Sequence, residues 1–147
     1  RYRKKPRPKQ AGEPEQYPFL LLPHRGIGYA EGGVRHLPWL CELPGAGMHA
    51  WEESVELHAD DLRRLDLREG DRVWVESPAG RRRMHVRTNA GTRLGTVGLA
   101  LGHGPWPPTR EDAGTAGGHG LLTAISDPLA GVLALQATRV RLRKEEA

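Results

Sequence analysis

Apolar side chains recur at every second position along much of this chain. Val55 and Leu57, Val73 and Val75, Met84 and Val86, then Val97, Leu99 and Leu101, and finally Val140 and Leu142 each mark a short run of this kind. A period of two places one face of each run in a core and the other in solvent, so these runs predict strands. Residues 17–22 (YPFLLL) form a continuous apolar run, read as a buried strand that Pro23 ends. Residues 58–65 break the alternation and predict a short helix. Asp60 and Asp61 stand in its first turn and Arg63 and Arg64 in its last, the signs that suit a helix dipole.

The breaks between runs carry turn chemistry. Residues 67–71 (LREGD) turn through Gly70, residues 77–80 (SPAG) join two strands as a hairpin, and residues 89–91 (NAG) turn the chain again. Arg83, His85 and Arg87 share one strand face, opposite Met84 and Val86, and the final strand over 137–142 turns Arg139 and Arg141 outward, with Arg143 following. The long segment over 24–40 holds four glycines and ends on Trp39, and residues 107–120 read as loop. Loops of that length in a compact domain usually carry function. About six short strands, one or two short helices and long loops, with no helix alternating regularly with strands, predict a mainly β domain: a small barrel with inserted helices.

Length and composition narrow the picture. The chain has 147 residues, enough for one ordinary domain with a modest core. It starts at Arg1, which reads as a fragment or a processed chain. Six of its first nine residues are cations, interrupted by Pro6 and Pro8, and they account for the net charge of +4. Residues 1–16 are therefore expected to be a flexible basic lead-in, and residues 17–147 the domain. A basic arm raises affinity for phosphate without specifying a partner, yet the domain shows no aromatic-plus-basic pattern of a base reader. Cys41 is the single cysteine, so no disulfide can form within the chain. The longest aliphatic stretch, residues 129–135, is far short of the ~20 residues that span a bilayer.

The stretch VELHADDLRRLDLREGDRVWVESPAGR resembles the C-terminal dinucleotide-binding domain of the DMSO reductase family of molybdopterin oxidoreductases. The flanking pieces agree in order. An apolar strand leads into His24-Arg25, a loop segment holds His36 and Trp39, a strand ends in Gly102-His103-Gly104, and Leu122-Thr123 precedes Asp127-Pro128 and Gly131. The resemblance implies a double-psi β-barrel that closes over a molybdopterin guanine dinucleotide. The metal, molybdenum or tungsten, would be held by the cofactor and by other domains, so no residue here is expected to be a metal ligand or a catalyst.

The residues implied as cofactor contacts are His24, Arg25, Gly26, His36, Trp39, Gly102, His103, Gly104 and His119. Each has a plain structural alternative. Arg25 and His24 could be surface side chains, His36 a loop-packing histidine, Trp39 a packing plug, and His103 a strand-end cap. The chemistry favours contact for Arg25 and His103, leaves His24 and His36 open between the two, and favours packing for Trp39. A pyrophosphate and a polar pterin need cations, imidazoles and backbone N–H groups, which glycine lets approach closely. His119 stands beside Gly120, where relatives of this type carry asparagine before the Leu-Thr pair. Glu52, Glu53 and Glu56 look like a carboxylate cluster, but strand alternation is expected to expose most of them.

The resemblance further implies partners: upstream catalytic domains or a subunit of the same oxidoreductase, and an iron–sulfur electron-transfer subunit. It points to the branch of polysulfide-reductase-type and quinone-linked complexes, at the cytoplasmic or periplasmic face of a prokaryotic membrane. The competing reading is a freestanding double-psi barrel that uses its basic tail for protein or nucleic-acid binding.

Overall fold

The computed structural model describes residues 9–25, 53–101 and 117–145. Six strands, β1 (Phe19–Arg25), β2 (Ser54–Leu57), β3 (Arg72–Ser77), β4 (Gly80–Thr88), β5 (Thr96–Leu101) and β6 (Arg139–Lys144), close into one barrel in the order β1-β5-β2-β4-β3-β6. Two pairs, β1 with β5 and β2 with β4, run parallel; the other four are antiparallel. This is the mainly β barrel expected from the sequence, consistent with the double-psi form. The alternating apolar positions all turn inward. Leu21, Val55, Leu57, Val73, Val75, Val86, Val97 and Val140 are fully buried in one cluster. Among the described residues every strand of the barrel pairs with a neighbour on each side.

The predicted strand over 17–22 runs further than expected, through Pro23 to Arg25. Proline is tolerated because of where its missing N–H would point. Leu21 N donates to Thr138 O on the β6 side of β1, and Pro23 shares that direction. Strand β6 pairs with β1 only at Phe19 and Leu20, so no ladder bond is lost at Pro23.

The helix is shorter than predicted. Helix α1 spans Ala59–Arg64, and His58 is its N-cap, accepting at Nδ1 from Asp60 N at 3.1 Å. Of the two acids in its first turn, Asp61 is buried and does more than complement a dipole. Its Oδ2 accepts from Gly95 N at 2.7 Å, which ties the helix to the turn before β5. Leu62 and Leu67 add α1 and its exit to the core. Gly70 takes φ +87°, as the turn into β3 requires. The expected hairpin at 77–80 forms with Ser77 Oγ accepting from Ala79 N and Gly80 N.

The strand directions define two ends. At one, β1, β3 and β5 end while β2, β4 and β6 begin, with the strands staggered so that β6 begins beside Phe19 and Leu20 of β1. We call this end the mouth. Helix α1 follows the C-terminal end of β2 and so sits at the other end. At the mouth lies a 3-10 turn over Gly117–Leu121, in the stretch read as loop. It packs closely: a Cβ on Gly118 would stand 3.0 Å from the Leu99 side chain, and one on Gly80 would stand 3.1 Å from Gly120 O. A second 3-10 turn, Leu135–Ala137, runs beside β1 and leads into β6.

Candidate functional site

The mouth gathers what the sequence scattered. In the parallel ladder of β1 and β5, His24 lies opposite Ala100 and Arg25 opposite Leu101. The chain therefore leaves both strands side by side, toward Gly26 from one and toward Gly102-His103-Gly104 from the other. His24 and Arg25 are exposed there. His119, also exposed, belongs to the 3-10 turn at the same mouth. Gly26, His36, Trp39, Gly102, His103 and Gly104 lie outside the described residues.

The two exposed residues of β1 occupy different faces. Arg25 shares the face of Leu21 and Pro23, which leads into the barrel. His24 shares the outer face, where its Nε2 lies 3.9 Å from Glu56 Oε2 across β5. Gly98 makes that reach open, since a Cβ at that position would stand 3.2 Å from Glu56 Cβ. Glu56 also accepts from Asn89 Nδ2 at 2.7 Å and faces Arg87 in the parallel pair of β2 and β4. Burial holds the Arg87 guanidinium below its ordinary value, and its Nε is buried without a hydrogen-bond partner.

One pair at the mouth was not anticipated. Arg82 NH2 lies 3.2 Å from Glu53 Oε2, with side chains only 11% and 8% exposed. Both point inward: Arg82 shares the face of Met84 and Val86, and Glu53 shares that of Val55 and Leu57. The expectation that alternation exposes these glutamates fails at Glu53, because alternation counted from Val55 turns position 53 inward. A signal was available. An arginine two positions before Met84, on its face, and a glutamate two before Val55 must both enter a barrel, and two opposite charges there satisfy each other.

These residues suit an anionic, hydrogen-bonding ligand. Arg25 and Arg82 bring guanidinium donors to the inward side of the mouth, and His24 and His119 bring imidazoles. The donor set fits the phosphates and polar ring of a dinucleotide. Among the described residues, no group of three or more His, Cys, Asp or Glu side chains could hold a metal ion.

Comparison with known proteins agrees. Residues 42–139, more than half of the chain, match the family model described as the molydopterin dinucleotide binding domain. The chain is 28% identical over 101 residues to the arsenate respiratory reductase molybdopterin-containing subunit ArrA of Shewanella sp. (strain ANA-3), covering 67% of this chain and 12% of that protein. It is 24% identical over 107 residues to the thiosulfate reductase molybdopterin-containing subunit PhsA of Salmonella typhimurium, covering 71% of this chain and 13% of that protein. Among solved structures, acetylene hydratase from Pelobacter acetylenicus shares the fold, with a TM-score of 0.62 at 18% identity over 90% of this chain and 19% of that one. The chain thus spans about an eighth of the length of the curated relatives it matches. The closed barrel and the family match over most of its length agree: this chain belongs to the molybdopterin dinucleotide-binding domains of the molybdopterin oxidoreductases.

Proposed function

We propose that the barrel mouth is the face that closes over the cofactor, and that the cofactor is a molybdopterin guanine dinucleotide. The observation that carries this is the pairing of Arg25 with Leu101, which starts the two glycine-led segments from neighbouring strands. Arg25 and Arg82 would neutralise phosphate charge, and His24 and His119 would hydrogen-bond polar edges. Gly26, Gly102 and Gly104 would allow backbone N–H groups to approach oxygen atoms, with His36, Trp39 and His103 completing the contacts. When bound, the cofactor supplies two-electron redox or oxygen-atom transfer at molybdenum or tungsten. This chain's residues bind it, orient it and exclude water from it.

In this reading the chain serves as the C-terminal domain or a subunit of a larger oxidoreductase, working with upstream catalytic domains and an iron–sulfur subunit. The curated relatives are named as molybdopterin-containing subunits, which supports that organisation. The test is purification of the complete native protein followed by assay of molybdenum, tungsten and released guanine nucleotide. Stoichiometric metal and nucleotide are expected. A fully matured preparation lacking both would overturn the reading.

A further inference from the structure

The outward face of β3, β4 and β6 carries a grid of arginines. The strand registers set Arg81 and Arg141 on either side of Glu76, and Arg83 and Arg143 on either side of Trp74. These positions alternate with Val73, Val75, Met84 and Leu142, which are buried, so all six side chains stand on the outer wall. Four arginines against one glutamate make this wall cationic.

The guanidinium groups are held in place. Arg81 Cζ lies 4.8 Å and Arg83 Cζ 5.7 Å from the centroid of the Trp74 ring. A guanidinium stacked on an indole keeps its N–H edges directed away from the ring, where they can donate in pairs to a carboxylate. On the other side of Trp74, Glu76 accepts from Arg141 Nε and lies 3.7 Å from Arg143 Nε. Side chains ordered in this way lose less conformational freedom when a partner arrives.

The wall already takes a carboxylate from beyond its strands: Glu145, which follows β6, has its Oε1 3.3 Å from Arg83 NH1. The charge is still unbalanced. Among the described residues Arg81 pairs with no carboxylate, and Arg81, Arg83 and Arg143 are all exposed. The Trp74 ring is half-buried and carries two guanidinium groups, so it offers donors and not a stacking platform for bases. A lipid surface would need positive charge but no fixed spacing. Arg81 and Arg83, two residues apart on β4, have a fixed spacing of about 7 Å. Carboxylates on alternate residues of an extended chain repeat at the same interval.

We propose that this outer wall binds an acidic, extended segment of a separate protein, laid along β4 so that Arg81 and Arg83 each take one carboxylate from alternate residues. Trp74 orients both guanidinium groups, and Arg141 and Arg143 extend the positive field across β3 to β6. The inference goes beyond the cofactor reading and does not depend on it.

Fluorescence anisotropy tests this, with a labelled Glu-Ser repeat peptide titrated with the complete native protein at about 0.15 M salt. Saturable binding is expected. Arg81→Gln with Arg83→Gln should weaken it about tenfold or more, and Arg81→Lys with Arg83→Lys about threefold, because lysine keeps the charge and loses the planar fork. Arg63→Gln with Arg64→Gln removes the same charge from α1 and should change binding less than about twofold. All three pairs are exposed, and the circular dichroism of each variant should match the parent. No saturable binding, an equal loss in the α1 variant, or undiminished binding in the lysine variant overturns the proposal. A single-stranded oligonucleotide or a phosphatidylserine vesicle that binds more tightly than the peptide, and is lost in the Arg81→Gln, Arg83→Gln variant, identifies a phosphate-bearing occupant and also overturns it.

Discussion

Arg25 and Leu101 form the last register pair of the parallel ladder between β1 and β5. Their sequence separation is large, yet the ladder sets the C-terminal ends of β1 and β5 side by side. Arg25 is exposed on the face that leads into the barrel, so its removal should spare the core. Arg25→Ala is expected to shift unfolding stability by no more than about 0.5 kcal/mol, and to reduce the cofactor retained by the complete protein about tenfold. Nucleotide and metal content per protein, set beside urea unfolding, checks both. Unchanged cofactor retention would remove Arg25 from the site.

The Glu53–Arg82 pair separates stability from binding. Glu53→Leu leaves the Arg82 charge buried without its carboxylate, and should cost about 3–5 kcal/mol. Glu53→Leu combined with Arg82→Met replaces the pair by apolar groups of similar size, and should restore stability to within about 1 kcal/mol of the wild type or better. If Arg82 contributes charge to the cofactor, the double variant folds but retains less of it. Urea midpoints of the two variants give the first comparison, and cofactor content of the double variant gives the second.

The barrel was readable because its alternation is strict. Val55, Val73, Val75, Val86, Val97 and Val140 each announced a buried strand face, and each is fully buried. Pro23 misled the boundary of β1, since a sequence does not say which neighbour a strand lacks at a given residue. The buried role of Asp61 was hidden for a similar reason: its partner, Gly95 N, is brought to it only by closure of the barrel. Glu53 and Arg82 followed the same alternation as the valines, but charged residues at inward positions invite the assumption that the strand has already ended. For the site, His24, Arg25 and His119 are brought to one mouth. That arrangement depends on the crossed order of the strands, which no local pattern encodes.

Asp61 offers a test of how the end opposite the mouth is fastened. Its carboxylate is buried and accepts from Gly95 N, with Arg64 NH1 at 3.5 Å from its other oxygen. Asp61→Ala strands a backbone N–H at the turn before β5 and should cost about 1–3 kcal/mol. Asp61→Asn retains an acceptor oxygen and should cost clearly less. Hydrogen exchange at Gly95 provides the local readout: fast exchange in the alanine variant and slow exchange in the asparagine variant are expected.

Acid sensitivity should report Asp71. Its Oδ2 accepts from Lys144 Nζ at 2.8 Å and from Arg68 N at 2.9 Å, joining the turn before β3 to the end of β6. The Lys144 hydrogen bond, followed by that from Arg68, holds the carboxyl below its ordinary value of 3.8. A carboxyl lowered on folding binds fewer protons folded than unfolded, so stability rises with pH across the interval between the two values. Its contribution is fully present above the unfolded value, and is lost as pH falls through the folded one. Asp71→Asn should therefore be less stable than wild type at neutral pH, and the two should converge on acidification. The urea midpoint of both proteins, followed from about pH 7 down to about pH 2, checks this. Parallel curves over that range would show that the Lys144 and Arg68 contacts with Asp71 add nothing to the fold.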